Sequence, residues 1–202
     1  MKNKAGWLLA LVFFWACNNE KKSANEHSGH NMTDGNSHYC DSVNNGLIAT
    51  DTLKGSPLRT AMTTVNGTHI HVEYSSPGVK GRTIWGGLVP YDKVWVTGAH
   101  KATRVQFSKE VVINGIRIPA GQYAFFTIPG KEKWTVILNT RYDQHQTDEY
   151  NEKEDVMRLE VKPEEQNMTQ RLIYTVEKIN SKSGEIKMQW EKILIRVPFM
   201  TN

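Results

Sequence analysis

Apolar and polar residues alternate with a period of two from Thr68 to Val197, and this pattern narrows the possible folds most. Successive side chains of a β-strand point to opposite faces, so the alternation indicates strands with one buried and one solvated face. The first such stretch has two contrasting faces: Ile70, Val72 and Tyr74 against His69, His71 and Glu73. Helical periodicity is nearly absent, and we expect a sheet-based fold.

Turn signals divide this region into hairpins. Asn114-Gly115 separates two short apolar runs, and both residues tolerate the positive φ that a two-residue hairpin turn requires. A second hairpin is predicted from strands at residues 123–128 and 133–139, a further strand at 156–161, and a third hairpin from strands at 171–179 and 185–190. Short strands at this spacing predict one all-β domain over residues 61–202, an antiparallel β-sandwich or a jelly-roll-like fold.

The first residues of the chain predict export. Lys2 and Lys4 precede an apolar stretch at residues 5–16, which is shorter than the ~20 residues of a membrane-spanning helix. Ala16 directly before Cys17 resembles the site at which bacterial lipoprotein signal peptides are cut. We therefore expect a signal peptide at residues 1–16, lipid on Cys17, and a membrane-anchored chain in the cell envelope, facing the periplasm or the exterior. An uncleaved membrane anchor is the alternative.

Residues 17–60 are expected to form a disordered, flexible N-terminal tether. Up to about residue 45 they are rich in Asn, Ser, Gly, Lys and His, a composition that cannot offset the entropy of ordering. This tether carries soft or borderline metal ligands: His27, His30, Met32, His38 and Cys40. Their spacing resembles the short His/Met segments of copper-handling proteins, and the alternative is a polar linker with incidental histidines.

Charge and cysteine content argue against a nucleic-acid-binding protein and against a fold stabilised by disulfides. The net charge is +4, part of which lies in the expected signal peptide, and acidic and basic residues alternate along the body. We therefore expect no nucleic-acid partner. The chain has two cysteines, and if Cys17 carries lipid, Cys40 has no intramolecular partner. The fold is not expected to depend on disulfides.

Residues 76–82, 85–91 and 94–99 read Ser-Pro-Gly-Val-Lys-Gly-Arg, Trp-Gly-Gly-Leu-Val-Pro-Tyr and Val-Trp-Val-Thr-Gly-Ala. With further motifs at 119–123, 126–130, 134–137 and 152–156, the chain resembles the bacterial domain of unknown function 2911 family over residues 61–199. The resemblance implies an exported β-rich domain with no established biochemical activity. The family pattern often has Asn where this chain has His100, and has Trp where it has His145, which suggests a His-bearing branch.

Four histidines form the candidate metal site. His69 and His71 lie two residues apart in a predicted strand, so both imidazoles project from one face and can converge on one ion. His100 and His145 are the candidates to complete the site, and Glu73 could orient a metal ligand or serve as one. Three or four neutral imidazoles suit copper or zinc. The alternative is a solvated strand face, with His100 and His145 in separate loops.

Tryptophans offer a different kind of site. Trp134 and Trp190 are predicted to lie in the core, because large aromatic side chains dominate burial in sandwiches. Trp85 and Trp95 flank the Gly86-Gly87 turn and could form a pocket wall for a sugar or a peptide.

Three functional hypotheses follow. The first is a non-catalytic, membrane-anchored β-sandwich that binds copper or zinc through the four histidines, with metal delivered by the tether. The second is a surface carbohydrate or protein interaction module in which the histidines are incidental. The third is a zinc-dependent hydrolase, which would need a three-histidine site with an open water position, because Gly-x-Ser-x-Gly and His-Glu-x-x-His motifs are absent from the sequence.

Overall fold

The structure is a computed structural model that describes residues 32–202, with side chains from Gly35 onward. The predicted signal peptide, Cys17, His27 and His30 lie outside the described residues. Within this range the chain forms one α-helix, ten β-strands and one short 3-10 helix (Glu152–Glu154). They are α1 (Met32–Asn44), β1 (Leu58–Val65), β2 (Thr68–Ser75), β3 (Arg104–Phe107), β4 (Val111–Ile113), β5 (Ile116–Ile118), β6 (Gly121–Ile128), β7 (Trp134–Asn139), β8 (Asp155–Val161), β9 (Glu164–Lys178) and β10 (Ser183–Thr201).

Two antiparallel sheets pack against each other, which confirms the predicted all-β sandwich. One sheet has six strands in the order β1-β2-β3-β6-β7-β8, and the other has four in the order β5-β4-β10-β9. The main core lies between them and takes side chains from both sheets, among them Val72, Phe107, Phe125, Leu172, Ile186 and Phe199. Along β2 the apolar residues are buried and the intervening polar residues are exposed or half-buried, as the alternation predicted.

The predicted hairpins are present. β4 and β5 pair around Asn114 and Gly115, whose φ angles of 47° and 79° are both positive, as this turn requires. β6 pairs with β7, and β9 pairs with β10. In each case the turn residues predicted which strands pair.

A second, smaller apolar cluster lies on the outer face of the six-stranded sheet. Phe126 and Ile137 from β6 and β7 are buried there under two connecting segments. One is residues 94–102, in the connection from β2 to β3, and the other is residues 142–150, in the connection from β7 to β8. This packing fixes both segments against the sheet and brings them side by side.

The tether prediction was wrong from Met32 onward, where the structure has a helix and then strand β1. Helix α1 buries Cys40 and Val43, with 0% and 3% of their surfaces exposed. Asn44 donates to the carbonyl of Arg171 and accepts from its backbone N–H, at 2.9 and 2.7 Å. These contacts supply the burial and hydrogen bonding that the segment lacks on its own, so they offset its ordering entropy. No helix in residues 32–202 is both long and apolar enough to cross a membrane.

Candidate functional site

The two segments on the outer face are joined by backbone hydrogen bonds around His100. The N–H of Gln146 donates to the His100 carbonyl at 2.6 Å, and the N–H of Ala102 donates to the Gln144 carbonyl at 3.0 Å. Lys101 and His145 form an isolated antiparallel bridge between these bonds. The two connections therefore form one rigid surface unit.

Thr97 is held in a backbone conformation that its side chain disfavours. Its φ is 51°, in the left-handed region, which is rare for a β-branched residue and costs on the order of 1–3 kcal/mol. The buried hydroxyls of Thr97 and Thr127 lie 2.9 Å apart, and the Thr97 carbonyl accepts hydrogen bonds from Tyr174 and Thr103, both at 3.0 Å. Burial raises the pKa of Tyr174 well above that of a free phenol, so its hydroxyl remains a donor.

Gly98 is closely packed, and His100 has a second left-handed φ. A Cβ on Gly98 would lie 2.8 Å from the Thr103 hydroxyl and 3.2 Å from the Ser75 carbonyl oxygen, so a larger residue would displace the Thr103 hydroxyl from its hydrogen bond to Thr97. His100 has a φ of 62° and an exposed side chain. Strain that persists because its surroundings enforce it is concentrated at functional sites, which makes this segment a candidate functional site.

His100 separates two surface clefts. The aromatic cleft has a volume of about 260 Å³ and is lined by a set that includes Arg82, Leu88, Trp95, His100, Gln146 and Trp190. The charged cleft, on the other side of His100, has a volume of about 350 Å³ and includes Glu73, His100, Lys101, Arg104, Tyr142 and Asp143. Such volumes suit one small ligand or part of a larger one.

Four packed indole rings lie behind and beside the aromatic cleft. Trp95 stacks on Trp190 with ring centroids 5.7 Å apart and planes inclined by 22°. Trp85 packs edge-on against both of these rings and against Trp134. The indole N–H of Trp190 is buried and has no hydrogen-bond partner among the described residues. The cleft is thus lined by packed aromatic rings.

Polar groups surround this wall. Arg82 donates to the carbonyls of Gly78 and Val79, which hold its guanidinium in place. The side chains of Gln146 and His100 are exposed at the same cleft. An apolar face with a few fixed polar groups is the usual composition of a small-molecule binding site.

The charged cleft is organised by ion pairs. Arg104 donates to Glu73 at 2.7 Å, and Lys101 lies 3.2 Å from Asp143. The second pair is largely exposed, at 77% for each side chain, so solvent screens it and it contributes little to stability. The Glu73 carboxylate is therefore paired with Arg104.

A family model described as a protein of unknown function (DUF2911) matches residues 56–199. The chain belongs to the DUF2911 family. No curated protein and no solved structure matches it. The DUF2911 region begins two residues before β1 and covers nearly all of both sheets, whereas α1 precedes it.

The four candidate histidines of this DUF2911 chain form two pairs in the structure. His69 and His71 share a face of β2, with ring centroids 6.3 Å apart, and His100 and His145 lie on adjoining loops. His145 is 3.0 Å from Asp148. Among residues 32–202, no group of three or more His, Cys, Asp or Glu side chains is placed to bind one metal ion. The predicted convergence of all four is thus not seen, and metal binding itself stays a prediction.

The tether candidates within the described range differ in exposure. His38 is exposed on α1, whereas Cys40 is fully buried against the sandwich. Burial raises the pKa of the Cys40 thiol, which disfavours the thiolate that metals bind. Cys40 is consequently a packing residue in this arrangement, and Met32 begins the helix.

The packing confirms the core placement predicted for two of the tryptophans. Trp134 and Trp190 are in the core, with 2% and 1% of their surfaces exposed, as predicted. Trp95 lines the aromatic cleft, and Trp85 supports it from the aromatic cluster. Sequence reasoning missed Arg82 and Gln146, because their approach to the cleft depends on two connections that are distant in the chain.

Proposed function

We propose that this DUF2911 protein is a non-catalytic binding module of the bacterial cell envelope, and that its aromatic cleft holds a small polar ligand with an apolar face, such as a sugar unit. The observation that carries the proposal is the strained, rigidly held Thr97–His100 backbone beside the stacked Trp95 and Trp190 rings. A preorganised cleft loses little entropy on binding.

The chemistry of the cleft favours a saccharide. The C–H face of a sugar packs on an indole, and its hydroxyl groups accept and donate hydrogen bonds. Trp95 supplies the aromatic surface, while Arg82, Gln146 and His100 supply polar groups around it.

The envelope location is supported by the N-terminal residues. Lys2, Lys4, the apolar stretch at 5–16 and Cys17 match the pattern expected of a lipoprotein signal peptide. In cells fed an alkyne-labelled palmitate, the full chain is expected to incorporate label, and Cys17→Ser is expected to lose it. Cys40→Ser is the matched control and should remain labelled, and label retained by Cys17→Ser would contradict lipidation.

Ligand binding is tested by titrating the full chain with a panel of mono- and oligosaccharides while following tryptophan fluorescence. A sugar in the aromatic cleft should change the emission saturably, and a chelator should not affect the change. His100→Ala and Gln146→Ala should weaken binding without unfolding the protein, because both side chains are exposed.

Tyr142→Ala is the matched control, since Tyr142 is an aromatic residue of the charged cleft only. Saccharide binding that is equal in the parent, His100→Ala and Gln146→Ala would contradict the assignment to the aromatic cleft. No response to any saccharide in the panel would contradict the sugar ligand itself.

A further inference from the structure

Strands β1 and β2 bring a methionine directly beside the histidine pair. Met62 is the antiparallel partner of His71 in the register, and Thr64 is the partner of His69. Side chains of directly opposed residues lie on the same face, with Cβ atoms ~4.5–5.5 Å apart, and diagonal neighbours remain within reach of long side chains. Met62 is thus next to His71 and diagonal to His69.

The exposure of Met62 is not explained by packing. Met62 is 56% exposed, and it lies between two exposed residues of the same strand face, Thr60 and Thr64. Exposing a thioether on a polar strand face gives no burial free energy. Its sulfur is available to a partner that binds soft donors.

The imidazoles beside it have nitrogen atoms suited to ligation. Nε2 of His71 is buried and has no hydrogen-bond partner among the described residues. Nδ1 of His69 lies 3.3 Å from the Thr64 hydroxyl, a contact that orients the ring and leaves Nε2 as the candidate ligand atom. A cation at this place would give the buried His71 nitrogen a partner.

We propose that His69, His71 and Met62 form a Cu(I) site on the outer face of β1 and β2. Thioether and imidazole ligands together favour Cu(I), which is soft and accepts two or three ligands, over zinc, which binds four. A carboxylate ligand that would favour a harder ion is not at hand, because Glu73 is paired with Arg104 at 2.7 Å. This site is separate from the aromatic cleft and does not depend on it.

Only side-chain rotation is needed to assemble the ligands. The ring centroids of His69 and His71 are 6.3 Å apart, and metal–nitrogen bonds of about 2 Å require their ligating atoms to approach within about 4 Å. His69 is exposed and free to change rotamer, and Met62 has three rotatable side-chain bonds. The sheet backbone can remain as it is.

The test is anaerobic titration of the full chain with Cu(I) in competition with the chromophoric chelator bicinchoninate. The parent protein is expected to bind one more equivalent of Cu(I) than the His69→Ala/His71→Ala variant. Met62→Leu is expected to weaken that equivalent by more than about tenfold, since even outer-shell partners contribute ~10–100-fold to metal affinity. Excess Zn(II) should not displace the copper.

His145→Ala, which removes an exposed histidine that lines neither cleft, is the matched control and should bind as many equivalents as the parent. Copper that binds equally to the parent and to His69→Ala/His71→Ala would overturn the site, because it would then lie on other residues such as those of the N-terminal segment. If only Met62→Leu is without effect, the thioether ligand is overturned. Near-ultraviolet circular dichroism of the single His69→Ala variant, whose side chain is exposed, verifies that the fold is retained.

Discussion

Arg171 and Asp51 form a buried ion pair, with side chains that are 0% and 4% exposed. Nη2 of Arg171 donates to Oδ1 of Asp51 at 2.9 Å, and its Nε lies 2.9 Å from Oδ2. The same guanidinium donates to the carbonyls of Leu53, Gly55 and Ser76. Because Arg171 belongs to β9 and Asp51 follows α1, the pair fastens the helical segment and the chain after it onto the sandwich.

Removing the acidic partner should destabilise the protein strongly. Asp51→Ala leaves the Arg171 charge buried without its counter-ion, which is expected to lower the free energy of unfolding by about 3–5 kcal/mol. Urea denaturation followed by tryptophan fluorescence measures the change. Asp143→Ala, which removes an exposed pair with Lys101, should have little effect. A loss below about 1 kcal/mol for Asp51→Ala would contradict the anchoring role.

Cys40 should report whether α1 stays docked. Burial raises the pKa of its thiol, so the native protein should react slowly with iodoacetamide at pH 8 and quickly once unfolded in urea. The measurement uses Cys17→Ser, in which Cys40 is the one remaining thiol. Asp51→Ala should accelerate the reaction under native conditions by loosening the helix. Rapid labelling of the undisturbed protein would contradict the docked helix.

His100→Gly should stabilise the fold and weaken ligand binding. Glycine relieves ~1–2 kcal/mol of left-handed strain but adds ~0.5–1 kcal/mol of chain entropy, so a net gain of about 0.5–1 kcal/mol is expected. Saccharide affinity should fall because the side chain shared by the two clefts is lost.

Asp92→Gly is the control for this trade-off. Asp92 has a similar φ of 59° and an exposed side chain that lines neither cleft, so the same gain in stability should leave binding unchanged. Thermal unfolding and the saccharide titration compare the two variants. Equal loss of affinity in both would show that backbone relaxation, and not the imidazole, controls binding.

Stability should decline at alkaline pH. Burial, followed by the hydrogen bond to Asp155, raises the pKa of Tyr150 to about 12, above the ~10 of an unfolded chain. A raised pKa stabilises the fold fully below pH ~10, and this contribution is lost as the pH rises towards about 12. Unfolding midpoints in urea should fall across this window, and fall less steeply in Tyr150→Phe. An identical slope in the variant would contradict the shift.

The strand pattern was predictable because its causes are local. Alternation along β2 and the positive-φ turn at Asn114-Gly115 depend on residues adjacent in the chain, and each forms as expected. Strand β1 was missed because Leu58, at its start, and Met62 are exposed, which weakens its apolar signal. Backbone pairing with β2 holds β1 in the sheet instead of an apolar pattern of its own.

The candidate sites were harder to predict from the sequence than the strands. The pairing of Met62 with His71 follows from the β1–β2 register, and the approach of Gln146 to His100 follows from contact between two separate connections. Thr97 gives no sequence signal for its left-handed φ, although the adjacent Gly98 marks a close backbone approach.

The sequence by itself determined the all-β class, the hairpins, the family and the tryptophan core, because periodicity, turn residues and motifs depend on residues close together in the chain. The tertiary structure decided the rest. It ordered α1 through Arg171 and Asn44, separated the four histidines into two pairs, and gathered the aromatic cleft from distant segments. These outcomes depend on which distant residues meet, and the free energy of those contacts exists only once the sheets have packed.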